Sequence, residues 1–427
     1  MYPLYSLLLI LFFLIYLPIS FLQDPTLRKY RRNLKERFGR YSPQLLERLK
    51  GSRPLWIHAV SVGETMAASP LIAELMRQRP QERIVLSTVT YTGNQVARER
   101  FPGADGIIYF PLDFQGVVQR ALRQIRPRTV LLTETELWPH FLRACREQGI
   151  PCMLINGRIS EASFRRYRRV RPFFRRMVRG MPLLCMQSEA DERRIIELGA
   201  DPASVKWTGN LKFDQYAKEE GEDSRPRLLR ELMIGDEVPV FIAGSTHPGE
   251  EEAAIEAFWG AKKEITNLLL ILAPRHPERV AEVEQILNQR KLAFSRRSRI
   301  RLGERRDGDV ILLDTMGELG KMYSLGTIIF VGGSLAKIGG HNILEAAFYG
   351  VPILFGPHME NFREIAELFL TRGGALAVRD ASDLAEKLLW LLLHPQEAQA
   401  MGERGRALRR ENRGATQRTL DLLKAYL

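Results

Sequence analysis

The chain has 427 residues, enough for two or three domains with real cores. Its 45% hydrophobic and 26% charged residues exclude an intrinsically disordered chain. A net charge of +13 calls for a polyanionic partner: nucleic acid, an anionic membrane surface or a phosphorylated lipid.

Residues Leu4 to Leu22 carry no charge and are long enough for one bilayer crossing. A cleaved signal peptide fits poorly, since no Lys or Arg precedes the apolar run and no small-x-small site ends it. Arg28, Lys29, Arg31, Arg32, Lys35, Arg37 and Arg40 follow at once, and the positive-inside rule keeps that flank cytoplasmic. Residues 1–22 are therefore expected to be an uncleaved membrane anchor helix, or a monotopic insertion bent at Pro18. A basic juxtamembrane segment, 23–50, comes next.

Beyond it, apolar strand-like runs alternate with amphipathic helical ones. Leu55–Val60, Ile84–Val89, Thr129–Leu132, Pro151–Ile155 and Leu183–Met186 read as strands. Met66–Arg79, Val117–Ile125 and His140–Gln148 read as helices between them. Near-continuous apolar strands separated by helices predict an α/β fold with a parallel, doubly wound sheet over 51–216. Cys145, Cys152 and Cys185 sit in apolar stretches, as reduced core thiols do, and not at disulfide or zinc spacing.

Residues 217–238 turn polar and contain Gly221, Pro226 and Gly235, the composition of an interdomain linker. Alternation restarts at Val240–Ala243, Leu268–Ala273, Val310–Leu313, Thr327–Val331 and Pro352–Phe355. A second Rossmann-like domain is expected over 239–405, with a closing helix over 406–427. Two such halves place a ligand in a cleft that both face.

His58-Ala59-Val60-Ser61-Val62-Gly63-Glu64 follows the first strand of the N-terminal half. A carboxylate at that turn is placed as a general base for an acceptor hydroxyl, or as an electrostatic aid to a helix N-terminus. Glu134-Thr135-Glu136 ends another strand of the same half and makes Glu136 a second candidate.

In the C-terminal half, Gly244-Ser245-Thr246-His247 and Ala273-Pro274-Arg275-His276 also follow strands. Arg275, fixed between two prolines, offers a planar fork for a phosphate or a base edge. Met316-Gly317-Glu318 lies just beyond the next strand. Phe330-Val331-Gly332-Gly333-Ser334 then leads through Gly339-Gly340-His341-Asn342 into Ile343-Leu344-Glu345. A strand, a glycine-rich loop with free amides and a helix mouth form a phosphate cradle, with Glu345 placed for ribose hydroxyls. Asn342 and Glu345 also fit a capping box, and the local pattern leaves both readings open. No segment is a Walker A loop or a G-x-G-x-x-G dinucleotide turn, and no His/Cys spacing suggests a metal.

Phe164 to Arg179 interleaves eight arginines with Phe164, Tyr167, Phe173, Phe174 and Met177. Such a segment suits anionic lipid headgroups or RNA; the apolar N-terminus favours lipid.

Six motifs occur together and in order. They are H-A-x-S-V-G-E at 58–64, E-T-E-L-W-P at 134–139, G-S-T-H at 244–247, A-P-R-H at 273–276, M-G-E at 316–318 and G-G-H-N-x-L-E at 339–345. Over nearly the whole chain, this set resembles the 3-deoxy-D-manno-octulosonic acid (Kdo) transferases of Gram-negative bacteria. The resemblance implies a two-domain GT-B glycosyltransferase that moves Kdo from CMP-Kdo to lipid IVA, the lipid A precursor. Partners would be those two substrates and anionic lipids of the inner membrane, with no nucleic acid, no metal and no separate cofactor. The globular domains would lie on its cytoplasmic side.

The resemblance makes Glu64 the catalytic base. It assigns CMP contacts to Pro274 and Arg275, to Met316, Gly317 and Glu318, and to Asn342, Ile343, Leu344 and Glu345. Ile343 stands where proline is common in that family. Arg165, Arg166, Arg168 and Arg169 are expected to meet the acceptor or the membrane. Two rivals stay open: a GT-B enzyme using a UDP-sugar on a lipid carrier, and a membrane-tethered RNA-binding protein.

Overall fold

The structure, a computed structural model, describes residues 2–23, 33–215, 224–300 and 307–427. The chain divides into two units, Met1–Gln215 with Asn412–Leu427, and Tyr216–Glu411.

The first unit contains strands β1 (Leu55–His58), β2 (Ile84–Thr88), β3 (Gly106–Tyr109), β4 (Thr129–Thr133), β5 (Cys152–Gly157), β6 (Leu184–Met186) and β7 (Val205–Trp207). They form one parallel sheet in the order β3-β2-β1-β4-β5-β6-β7. Helices cover both faces, so every residue of β1, β2, β4 and β5 is buried, which accounts for the unbroken apolar runs. Trp56 packs on one face with Phe110 and Phe141, while Leu55, Ile57 and Leu71 pack on the other.

The second unit repeats the plan with β8 (Val240–Thr246), β9 (Leu269–Pro274), β10 (Phe294–Arg296), β11 (Val310–Leu312), β12 (Ile328–Val331), β13 (Ile353–Phe355) and β14 (Leu376–Ala377). Its parallel order is β10-β11-β9-β8-β12-β13-β14. In each sheet the winding reverses beside the first strand, between β1 and β4 and between β8 and β12. Crevices at the carboxyl ends of such strand pairs are where doubly wound sheets hold ligands.

The expected α/β class is what the structure has, with several local corrections. The closing helix expected over 406–427 is broken. Pro395–Glu411 ends, Gly414 takes a φ of 91°, and a new helix runs over Ala415–Leu423. The Asp214 carboxylate accepts the Gly414 and Thr416 amides, each at 2.7 Å, and so caps that helix from the first unit. Ala415, Leu420 and Leu423 then complete the core around Leu55 and Ile57. Burying each leucine contributes about 1.5–3 kcal/mol, which holds the chain end on the first unit.

Of the expected linker 217–238, residues 217–223 lie outside the described residues. The rest contains the helix Arg225–Glu231, with Leu228 and Leu229 buried. Of the expected juxtamembrane segment 23–50, residues 24–32 lie outside the described residues, and part of the rest joins the first unit. Tyr41, Leu45 and Leu49 enter the core, and Arg37 is buried over the Tyr109 ring, donating to the Val89 carbonyl.

At the N-terminus a helix spans Tyr2–Gln23. Among the described residues, no helix is long and apolar enough to cross a membrane. One stripe of this helix is held by the first unit. Tyr2 packs edge-on against Phe173, with ring centroids 5.7 Å apart, and the Arg143 guanidinium lies over its ring. The Tyr5 hydroxyl donates to Asp113 at 2.9 Å, and the Ser6 hydroxyl meets His140 Nε2 at 2.9 Å. Leu4, Leu7, Leu8, Ile10, Leu11, Phe12, Leu14 and Ile15 are exposed.

Candidate active site

In the first unit, β1 leads through Ser61 into the helix Val62–Gln78. Ser61 is the N-cap but its side chain accepts no helix amide. Instead Glu64 folds back, accepting the Val60 amide at 2.8 Å and the Ser61 hydroxyl at 3.4 Å. From β4, the Thr133 hydroxyl lies 2.9 Å from the same carboxylate and 2.9 Å from the His58 carbonyl, and its single proton is shared between them. Glu64 therefore both braces the helix start and sits at the β1/β4 reversal.

Its surroundings change its chemistry. Burial, reinforced by the charges of Glu134 and Glu136, pushes the Glu64 carboxyl from 4.5 up to about 8, against the pull of its hydrogen bonds. Burial, together with Glu134, lifts Glu136 to about 7. Glu134 adopts a left-handed φ of 52° at the end of β4, with Lys212 Nζ 4.0 Å away. Three carboxylates thus converge on one crevice, and two of them titrate near neutral pH. A carboxylate poised there is a competent general base for a hydroxyl. His58 of the same motif is a core residue. It stacks on Phe110 and bonds Ser87, and burial lowers its pKa to about 3, so it stays neutral.

The β8/β12 reversal in the second unit departs from the sequence expectation. The glycine-rich loop after β12 does not leave its amides free. Glu250, at the start of the helix Glu250–Lys262, fills them with its own carboxylate. Oε1 accepts from the Ser334, Leu335 and Ala336 amides at 2.9, 2.8 and 3.1 Å. Oε2 accepts from Gly333 at 2.7 Å and from His247 at 3.0 Å. Gly332 lets the strands approach this closely: a Cβ there would lie 2.6 Å from the Ser245 carbonyl oxygen and 2.8 Å from Glu250 Oε2. Sequence reasoning missed Glu250 because a glutamate in a helical first turn looks like ordinary macrodipole compensation.

Beside the loop, His247 and His341 face each other with Nε2 atoms 2.9 Å apart and rings 9° from parallel. Burial, then the positive charge of Arg275, lowers His341 to about 4, and burial also lowers His247. A hydrogen bond between two neutral rings needs one to donate and one to accept, so their tautomers are correlated.

The expected nucleotide contacts all lie at the carboxyl edge of this sheet. Pro274 ends β9, and Arg275, exposed, donates its backbone N–H to the Thr246 carbonyl at 2.9 Å. After β11, Met316 is exposed and Gly317 has a φ of 79°. Glu318 accepts from the Thr315 hydroxyl and from Arg297 at 3.2 Å. Asn342 Oδ1 accepts the Leu344 amide at 3.0 Å, and the short helix Leu344–Phe348 starts with Ile343 as N-cap, so the cap sits one residue later than the capping box requires. Ile343 and Leu344 are buried. Glu345 turns its Oε2 toward Gly320, 3.5 Å from where a Cβ would stand, so the segment after β12 approaches the segment after β11.

Arg165, Arg166, Arg168 and Arg169 occupy the helix Glu161–Arg169. Arg165 pairs with Glu161 at 3.1 Å, Arg166 donates to Ser163, and Arg168 lies 4.0 Å from Glu197. The next helix, Arg171–Val178, helps to line a cavity of about 340 Å³ walled by Arg146, Arg171, Pro172, Arg175, Arg176 and Arg179. Among the described residues, no group of three or more His, Cys, Asp or Glu side chains is arranged to hold a metal ion.

Residues 32–215 match the family model described as 3-deoxy-D-manno-octulosonic-acid transferase (kdotransferase). A 3-deoxy-D-manno-octulosonic acid transferase of Haemophilus influenzae is 36% identical over 405 residues, 93% of this chain and 92% of that protein. One from Bordetella pertussis is 36% identical over 402 residues, 92% of this chain and 91% of that protein. In fold, the chain is similar to a UDP-GlcNAc 2-epimerase of Neisseria meningitidis bound to UDP-GlcNAc. That likeness has a TM-score of 0.58 at 14% identity, covers 87% of this chain and 100% of the other, and shows two doubly wound units of the GT-B type. Full-length relatives at this identity decide the assignment: the chain belongs to the Kdo transferases, glycosyltransferases of lipopolysaccharide biosynthesis.

Proposed function

We propose that the chain transfers Kdo from CMP-Kdo to lipid IVA by direct displacement with inversion, Glu64 acting as general base. The observation that carries this reading is the Glu64 carboxyl, placed at the β1/β4 reversal and pushed up to about 8. Such a base has real affinity for the acceptor proton, and its ionised fraction grows as pH rises toward 8. Cytidine monophosphate departs as a phosphate monoester and needs no general acid. Positive potential at its phosphate is enough, and Arg275 with the amide end of Leu344–Phe348 supports that part. Met316, Gly317, Glu318 and Glu345 are left for the nucleoside, with Glu345 on the ribose hydroxyls and Pro274 and Ile343 shaping the walls. Glu136 stands by as the second candidate base.

Mass spectrometry of the product formed from purified protein, CMP-Kdo and lipid IVA tests the reading directly. The expected product is lipid IVA heavier by Kdo. An unmodified acceptor, with transfer from a UDP-sugar instead, would replace it by the rival lipid-glycosylating reading.

Lipid IVA carries phosphates and acyl chains, so the acceptor reaches Glu64 from a bilayer. The exposed leucines of the helix Tyr2–Gln23 offer an apolar surface for the acyl layer of the inner membrane, and the arginines of 161–179 offer charge for its anionic headgroups. The globular units would then work on the cytoplasmic side. Changing Arg165, Arg166, Arg168 and Arg169 together to Ser should raise the KM for lipid IVA and reduce liposome binding. The KM for CMP-Kdo should hold steady. A donor KM that rises while the acceptor KM stays put would assign these arginines to the nucleotide or the fold.

A further inference from the structure

We infer that Glu250 is a specificity residue: its carboxylate occupies the place of a second donor phosphate and so restricts the enzyme to nucleoside monophosphate sugars. The inference rests on the proposed donor reading and adds to it the reason a diphosphate donor is refused.

Four successive N–H groups, Gly333 to Ala336, converge with the His247 N–H on one point at the β8/β12 reversal. Converging backbone amides at this place in a doubly wound sheet make an anion receptor, where a nucleotide phosphate is normally expected. Here the receptor is already full. Glu250 is 1% exposed, and both of its oxygens are spent on these five donors. Among the described residues no lysine or arginine pairs with it. The adjacent cation, Arg279, binds Glu251 at 2.6 Å. The charge of Glu250 is met by the amides alone.

A carboxylate in that position acts twice on an incoming donor. It removes the amides that would hold a second phosphate, and its own negative charge repels a phosphate brought close to it. A donor with one phosphate avoids both penalties, because its phosphate needs only Arg275 and the neighbouring helix end. The loop also carries Gly333, whose carbonyl accepts the Gly340 amide at 2.7 Å, and a Cβ on Gly333 would touch the His341 ring. The same carboxylate therefore fixes the turn that leads into Asn342–Glu345.

Calorimetry with CMP and CDP tests the inference on the wild type and on Glu250→Ala and Glu250→Gln. The wild type should bind CDP no more tightly than CMP. In Glu250→Ala the vacated amides should accept the second phosphate and move the CDP-to-CMP affinity ratio at least about tenfold toward CDP. Glu250→Gln, which fills the space without the charge, should move it less. Sodium sulfate should raise the Tm of Glu250→Ala by several degrees more than that of the wild type, as an external anion refills the receptor.

A folded Glu250→Ala whose ratio and sulfate response match the wild type overturns the inference. Should neither Glu250 variant fold, the wild-type comparison decides: CDP bound ten times more tightly than CMP shows that a second phosphate is welcome. If the wild type binds neither cytidine nucleotide, the donor reading falls. The sulfate response then still decides whether Glu250 is a resident anion, and its absence refutes that.

Discussion

Glu64→Gln is expected to keep the fold and CMP binding while lowering Kdo transfer at least about a hundredfold, the lower range for loss of a general base. The glutamine can still accept the Val60 amide and the Thr133 hydroxyl, so the start of the helix Val62–Gln78 survives. Proton removal does not. The measurement is single-turnover transfer to lipid IVA beside CMP titration. Near-normal turnover would move the role to Glu136, whose carboxyl is also raised, to about 7.

The same substitution should change stability in a definite direction. Between the ordinary pKa of 4.5 and the raised value of about 8, the folded Glu64 keeps a proton that the unfolded chain has lost. More protons bound in the native state means that stability falls as pH rises through this window. Glutamine has no such proton. The Tm of Glu64→Gln should therefore pull ahead of the wild type from pH 5 to pH 8, while wild-type kcat/KM climbs toward pH 8 as the base ionises. Equal pH dependence of Tm in the two proteins would mean that Glu64 is not held protonated. A base kept at a cost in stability is the usual trade between fold and catalysis.

Arg275→Ala and Glu345→Ala should each weaken CMP by about 1.5–3 kcal/mol, the worth of one hydrogen bond to a charged group. That is about a 10- to 150-fold rise in Kd, which in kinetics appears as a raised KM for CMP-Kdo. Arg275 is exposed and its side chain has no carboxylate partner among the described residues, so its removal should leave Tm nearly unchanged. Glu345 turns toward Gly320, and its loss should also loosen the approach of the segment after β11. Calorimetry showing unchanged CMP affinity in both variants would place the nucleotide elsewhere.

The strands legible in the sequence and those that were not differ for one reason. Leu55–Val60, Ile84–Val89, Thr129–Leu132, Pro151–Ile155 and Leu183–Met186 became β1, β2, β4, β5 and β6, strands with a neighbour on each side. The four strands not foreseen, β3, β7, β10 and β14, are the four sheet edges. An edge strand has one neighbour and partial cover, so Lys206, Trp207 and Ser295 are tolerated in β7 and β10, while β3 and β14 are apolar but only four and two residues long. The closing-helix expectation failed for another reason. Asp214 and the Leu55 face capture the last helix through contacts two hundred or more residues apart in sequence, which no local pattern carries.

By itself the sequence determined the α/β class, the position of Glu64 after the first strand, and the six motifs that mark the family. Those features are local: apolar runs, glycine turns and residues fixed within one turn of them. Tertiary structure alone decided how the motifs act. It brought Glu64, Glu134 and Glu136 together at the β1/β4 reversal, where burial and like charge raise Glu64 and Glu136 toward neutral. It also set Glu250 against the amides of a loop some eighty residues away, turning an apparent phosphate cradle into one already filled. Hydrogen bonding and desolvation depend on what surrounds a group in space, and in a parallel sheet that is fixed by strand order, which separates neighbours in sequence and joins strangers.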